Sequence, residues 1–474
     1  MITKNSNKRI DKVQIVCIDD LVPANHLVRK IDKAIDFTFI YDLVKDMYSN
    51  ELGRPSIDPV VLFKIIFIQY LFGIRSMRQT IEEIKVNMAY RWFLGFDFND
   101  EVPHHSTFNK NYERRFKGTT VFNDIFAQIL SQAYKLGFIN DENVFVDSTH
   151  IKASANKHKR VKINVTESIS KYTKQLEEEI NEDRRANGKK AFEFEETIET
   201  EKPVSTTDPE SGYFVKGEKE RCFAYSAQTV CDENGYVLGS TVVSGNVHDS
   251  QSFLPVYENT IKENENIKNI VADSAYRTPI IAKMVHEDNK ELFTPYMRPK
   301  TKQGYLKKCE FEYHEETDYF TCPMGVVLEY KTTNRNGYRE YRSGKNSCKD
   351  CPLKNQCTLS THKTLTRHIH QKHVDMVERN RKTEKFKAIY PKRKETIERV
   401  FADTKYKNHL GVTNMRGLLK NQMRVTLLFA CHNLKKMATW MSKSGITKED
   451  LRVFFSKIIN FFKKQKFSPL LRNQ

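Results

Sequence analysis

The stretch NVFVDST, residues 143–149, decides how this chain is read. A short apolar run, Val144 to Val146, ends in the acid Asp147, the pattern of a buried strand that delivers a carboxylate to a sheet edge or crevice. NIVADSAY (269–276) repeats the arrangement, with Ile270 to Ala272 leading into Asp273. A third acid, Glu398, lies in KRKETIERVFADTK (392–405), where helical spacing carries Phe401, Ala402 and Lys405 onto its face. Three carboxylates suit two Mg2+ or Mn2+ ions, because these hard cations take oxygen ligands and keep water and substrate phosphate in their shells. Two such ions about 3.5–4 Å apart serve an in-line displacement at phosphorus, one at the attacking oxygen and one at the leaving oxygen. Taken singly, each acid is an ordinary turn former, helix cap or solvated helix partner. Their order and local settings make them a set.

The motifs resemble those of the DDE transposases of bacterial insertion sequences, in the branch with a helical N-terminal domain and a ribonuclease H-like catalytic domain. The resemblance covers most of the chain. It implies that Asp147, Asp273 and Glu398 are catalytic and hold the metal ions, and that Lys405, seven residues past the Glu, contacts phosphate. A Tyr and an Arg often precede that Glu in the family. Here Tyr390 stands near the expected place, Lys394 stands where Arg is usual, and Arg393 is one residue off. Tyr390 and Lys394 are therefore expected to face DNA together with Lys405. GNVHDS (245–250) also recurs in the family; its Asp249 follows an expected hairpin, Gln228 to Val230 and Val237 to Val243 around ENG, and is read as structural. The implied activity is metal-dependent cleavage at the element's ends and strand transfer to target DNA. It would be carried out by a homo-oligomer on double-stranded DNA bearing terminal inverted repeats. A ribonuclease H-like nuclease that cuts without joining uses the same acids. A non-catalytic DNA-binding regulator derived from a transposase is the third reading, and the intact acidic trio argues against it.

Composition agrees with a nucleic-acid partner. The 474 residues carry a formal charge of +18 and a pI near 9.3, so the chain attracts phosphate backbones in a salt-dependent way. The start, MITKNSNKRIDK, has no apolar signal core, and PVVLFKIIFIQYLFGI (59–74) is short and broken by Lys64 and Gln69. The expectation is a cytoplasmic, nucleoid-associated bacterial protein with no membrane partner.

The fold class expected is α/β: a ribonuclease H-like mixed sheet flanked by helices, with an all-α N-terminal domain and a Cys-rich insertion. Residues 1–120 read as helical. Leu27, Ile31 and Ile35 keep helical spacing, Asp58 and Pro59 open an apolar helix, and Ser76 caps MRQTIEEIKV. Ser106 is expected to cap a helix carrying Lys110, Arg114 and Arg115, giving a helix-turn-helix-like DNA-binding domain in which Arg114 and Arg115 meet DNA; the alternative is a bundle whose basic face is only solvated. The catalytic domain spans 121–300, opening with an amphipathic helix, and 386–474. After Asp147, STHIKASANKHKRVK is dense in cations, so Lys152 is a candidate DNA contact, and His150 suits a hydrogen bond or phosphate contact better than a metal. The charge-alternating stretch 163–201, within an insertion of about 160–215, reads as an exposed helix and a mobile loop.

A second insertion, 301–385, gathers Cys322, Cys348, Cys351 and Cys357, with Cys309 before them and His362, His368, His370 and His373 after. A CxxC pair with two further thiols fits a structural Zn2+; reduced, partly buried thiols are the plainer reading. Toward the end, Leu419, Met423, Leu427 and Ala430 share a helix face, and FFSKIINFFKKQKF (454–467) reads as an amphipathic tail.

Overall fold

A computed structural model describes residues 15–49, 56–168, 171–195, 197–217, 220–297, 301 and 303–446; the amphipathic tail lies outside them. The chain divides into two compact units.

The first unit takes in Met1–Ile139, Ala402–Leu410 and Gln422–Gln474. Up to Ile139 its α-helices are α1 (Leu27–Ala34), α2 (Phe39–Val44), α3 (Pro59–Leu71), α4 (Met77–Val86), α5 (Met88–Leu94), α6 (Thr107–Asn111) and α7 (Val121–Lys135), and the described residues of its later stretches are mostly helical as well. Helix α3 starts where its sequence says: Asp58 Oδ1 accepts from the N–H groups of Val60 at 2.7 Å and Val61 at 3.3 Å, with Pro59 in the first turn. Such a cap is worth about 1 kcal/mol. The helix is apolar all round, and Leu62, Phe63, Ile65, Ile66, Phe67 and Ile68 are all buried, as a helix without a polar face must be. Ser76 Oγ caps α4 through Gln79 N–H at 3.2 Å. Ser106 does not cap α6, because its hydroxyl is taken by His104 Nδ1 at 2.8 Å, and α6 passes into a π-helical turn at Tyr112–Phe116. Helix α7, read from sequence as the opening of the catalytic domain, belongs to this first unit.

The second unit, Asn140–Phe401 with Gly411–Asn421, holds three sheets. The central one contains β1 (Asn143–Lys152), β4 (Gly212–Lys216), β5 (Glu220–Cys231), β6 (Val237–Ser244), β7 (Asn269–Val271) and β8 (Glu291–Phe293), and is entered between by β2 (Arg160–Ser168) and β3 (Thr197–Ser205), which pair only with each other. Strand β5 pairs antiparallel with β1 on one side and with β4 and β6 on the other; β7 pairs parallel with β1, and β8 parallel with β7. The β5–β6 hairpin is the one expected around ENG. Residues 163–201 depart from expectation. They form an antiparallel ribbon, with Arg160 opposite Ser205 and Ser168 opposite Thr197, around helix α8 (Lys171–Ala186), rather than helix and loop alone. Charge alternation reads as a solvated helix, yet the backbone of a two-stranded ribbon is satisfied by its partner strand whatever its side chains.

Helices α9 (Asp249–Val256) and α10 (Pro279–Glu287) follow β6 and β7. A third sheet, in the order β13 (Thr364–His368), β12 (Tyr338–Ser343), β11 (Val327–Thr333), β10 (Tyr319–Thr321), β9 (Glu312–His314), occupies the segment after β8. A short helix, α11 (Lys354–Cys357), precedes β13, and α12 (Gln371–Arg381) and α13 (Glu384–Ile389) lead to α14 (Ile397–Asn408) and α15 (Leu418–Ser444). In α15 Met423, Leu427 and Ala430 are buried, whereas Leu419 is 65% exposed, one turn before the buried stripe begins.

Candidate active site

Asp147 sits within β1, not at its end: the strand runs on to Lys152 because the whole stretch pairs with β5, Asp147 standing opposite Thr229. Asp273 lies two residues past the end of β7 and caps a single 3-10 turn at Ser274–Tyr276, its Oδ1 accepting from Ala275 N–H at 2.8 Å. The parallel register decides how the two acids meet. The β1–β7 pairing ends with Phe145 level with Val271, and Ala272 N–H still donates to Phe293 O on β8 at 3.0 Å, so Asp147 and Asp273 both leave the end of that parallel pairing, and the charge of Asp273 is felt at Asp147.

Burial and like charge act on Asp147. Desolvation, with the neighbouring Asp273 and Asp249 adding to it, pushes its carboxyl up to about 6, against the opposing charge of Arg393 and the hydrogen bond from Ser148 N–H. Arg393 Nη2 donates to Asp147 Oδ2 at 2.7 Å, and its guanidinium is almost wholly buried. The Nε of Arg393 has no hydrogen-bond partner among the described residues.

Tyr390, Pro391, Lys392, Arg393 and Lys394 form a 3-10 turn. Three residues per turn set Tyr390 and Arg393 one above the other; Arg393 reaches Asp147, and Lys394, expected to face DNA, is exposed to solvent. Lys392 Nζ fastens the same turn to Glu233 Oε1 at 3.0 Å, in the β5–β6 hairpin loop. Burial raises the Tyr390 hydroxyl, and the charges of Asp273 and Glu398 raise it further, which places Glu398 in the same electrostatic neighbourhood. Glu398 itself is exposed, in the first turn of α14. Lys405 is exposed seven residues along that helix, as its spacing requires.

A second layer had no role in the sequence reading. Gln228 donates from Nε2 to Asp249 Oδ1 at 2.9 Å and to Ser252 Oγ at 2.7 Å, while its Oε1 accepts from the buried Tyr276 hydroxyl at 2.7 Å. Asp249 therefore has the structural bonds expected of it and also lends negative charge to Asp147 and Tyr276. GNVHDS is explained by packing: a Cβ on Gly245 would meet Ala224 O at 2.6 Å, and His248 Nδ1 caps α9 through Ser250 N–H at 3.2 Å.

Within the second unit, Lys152 does not share a strand face with Asp147. Along β1, side chains alternate, so His150 and Lys152 fall on the face opposite Asp147; the His150 ring stacks on Phe214 at 3.7 Å. In the first unit Arg115 lies over the Tyr48 ring and donates to Asn111 Oδ1, an internal role, whereas Arg114 is exposed. None of the histidines after the thiols lines their cavity: His368 Nδ1 accepts from His370 N–H at 3.1 Å, His370 Nε2 meets Glu179 Oε2 at 2.6 Å and His373 Nδ1 meets His286 Nδ1 at 3.2 Å. Among the described residues no three His, Cys, Asp or Glu side chains form a ready-made metal group, and no helix is long and apolar enough to cross a membrane.

Residues 16–114 match a family model described as a transposase domain, DUF772, and residues 321–438 match one described as a transposase DDE domain. Both matched models describe transposase domains, and the second relates residues 321–438 to the DDE transposases. The matched DDE segment includes Glu398, and transposases of this family use divalent metal ions. No curated protein matches the chain. Among solved structures, this transposase is similar to the piggyBac transposase in a synaptic complex with hairpin DNA, at 9% identity over 94% of this chain and 80% of that one, with a TM-score of 0.29. It is also similar to the Mos1 transposase in a paired-end complex with the left transposon end, at 10% identity over 52% and 61%, with a TM-score of 0.15. Likeness at these scores carries no structural argument.

Proposed function

We propose that this transposase cleaves DNA at the ends of an insertion sequence and joins the freed ends to target DNA, with Asp147, Asp273 and Glu398 as its catalytic carboxylates. The observation that carries this is the parallel β1–β7 pairing, from whose end both Asp147 and Asp273 leave. The central sheet order, β6-β5-β1-β7-β8 with β5 antiparallel to β1 and β6, β7 and β8 parallel to it, supports a ribonuclease H-like catalytic core.

Two Mg2+ or Mn2+ ions fit the donor set. The donors are hard oxygens, and Asp147 is a buried carboxylate crowded by like charges and held down by one guanidinium. Asp147, Asp273 and Glu398 would hold them. When bound, the ions supply an activated attacking oxygen and charge stabilisation at the leaving oxygen. The protein's own residues do the positioning. Arg393 orients Asp147. Gln228, Tyr276 and Ser252 fix Asp249 and hold its charge at the acids. Lys405 and Tyr390 contact the DNA backbone, Arg114 contacts it from the helical domain, and terminal repeats are brought together by a homo-oligomer.

The test is cleavage of end-containing DNA in Mg2+ by Asp147→Asn and Asp273→Asn. Both lose cleavage while binding of the same DNA survives; unchanged cleavage overturns the assignment. A strand-transfer assay with pre-cut ends separates joining from simple nuclease action.

A further inference from the structure

The third sheet has little to hold it together. Its core consists of Phe311, Phe320, Leu328, Tyr341 and Leu365, fewer side chains than a sheet of this size ordinarily needs without a disulfide or metal staple. Next to that core, Cys322, Cys348, Cys351 and Cys357 line one narrow cavity of about 20 Å3. All four thiols are free.

The backbone holds these thiols in tight turns, and one backbone N–H points at a sulfur. Cys322 opens the tight turn from β10 to β11: its N–H donates to Val326 O at 2.9 Å, and Gly325, at a φ of +77°, donates to Cys322 O at 2.8 Å. That turn aims Val326 N–H at Cys322 Sγ, 3.3 Å away. On the facing loop, Lys354 N–H donates to Cys351 O at 3.0 Å and starts the four-residue helix that ends in Cys357. Cys348 Sγ lies 3.5 Å from Ser343 Oγ at the end of β12. Cys357, raised by its burial, feels Cys348, Cys322 and Cys351 together.

The geometry points to a structural zinc site formed by Cys322, Cys348, Cys351 and Cys357, which fastens the loop between β12 and β13 to the β10–β11 turn. The sulfurs ring the cavity without meeting at a point. Three of them, Cys348, Cys351 and Cys357, sit on a loop whose one regular piece is α11, so closing on an ion moves a loop and leaves the sheet in place. Four thiolates give Zn2+ a closed tetrahedral shell, and binding contributes directly to folding. The site is chemically separate from the acids, which hold a hard cation and no thiol.

The test is zinc content of the full-length protein purified without added metal. About one tightly held zinc ion per chain is expected, together with the charge-transfer and d–d spectrum of tetrathiolate cobalt after exchange with Co2+. Replacing Cys351 or Cys357 by Ser strips most of the metal, whereas Cys309→Ser and Cys222→Ser retain it. Should the Ser variants fail to fold, the unaltered protein is titrated with a mercurial, and zinc must leave as those four thiols react, mapped by mass spectrometry. Zinc-free protein, zinc unaffected by loss of these thiols, or disulfides among them overturns the proposal. None of these readouts involves DNA cleavage, so their failure leaves the transposase reading standing.

Discussion

Replacing Asp147 by Asn should make the protein more stable while removing its activity. In the folded protein the Asp147 carboxyl is pushed from 3.8 up to about 6. That is about two units, or about 3 kcal/mol disfavouring the ionised native state at pH well above 6. Its side chain is 22% exposed, so solvent screening reduces the expected gain from a neutral isostere to about 1–3 kcal/mol. The amide oxygen still accepts from Arg393. The sign follows from the raised carboxyl. The penalty is absent below the unfolded value of 3.8, grows as pH rises toward about 6, and is constant above. The stability gap between Asp147→Asn and the unaltered protein should therefore be small at about pH 4.5 and full at about pH 7.5. Urea unfolding in EDTA, followed by a signal from the second unit, measures it at both. Mg2+ added at the higher pH should narrow the gap, since an ion held by Asp147 stabilises only the unaltered protein. A variant less stable than its parent at about pH 7.5, or a gap independent of pH, would refute the account of Asp147 as an under-compensated buried charge.

Arg393→Gln should lower the rate of end cleavage roughly tenfold or more, because the carboxylate it orients loses its fixed position, whereas the exposed Lys394→Gln should stay within about twofold; single-turnover cleavage at saturating DNA compares them, and equal losses would restore the spacing argument for Lys394. Gly73→Ala should destabilise the first unit by about 2 kcal/mol or more, since the residue lies at a φ of +64° and its Cβ would stand 2.0 Å from Lys407 O; thermal unfolding checks it, and an unchanged midpoint would count against the contact.

Much of the site is legible in the chain because its signals are local. Asp58 before Pro59, the apolar run before each Asp, and the ENG turn each act within a few residues, so caps, strands and hairpin stand where the sequence puts them. What failed was equally specific. The ribbon of β2 and β3 pairs residues some thirty to forty-five apart in sequence, and no local pattern reports that pairing. That Arg393, rather than a neighbour, reaches Asp147 follows from the 3-10 turn that Tyr390 and Pro391 open, which no motif position reports. Asp249 and Gln228 belong to the site only through side chains that meet across β5 and α9. The sequence by itself determined which acids are available and that Asp147 and Asp273 each follow a short apolar run. Only the tertiary structure decided that these two leave the end of one parallel pairing, because the register of parallel strands is set by hydrogen bonds between segments more than a hundred residues apart, and by the packing that holds β1, β5 and β7 in one sheet.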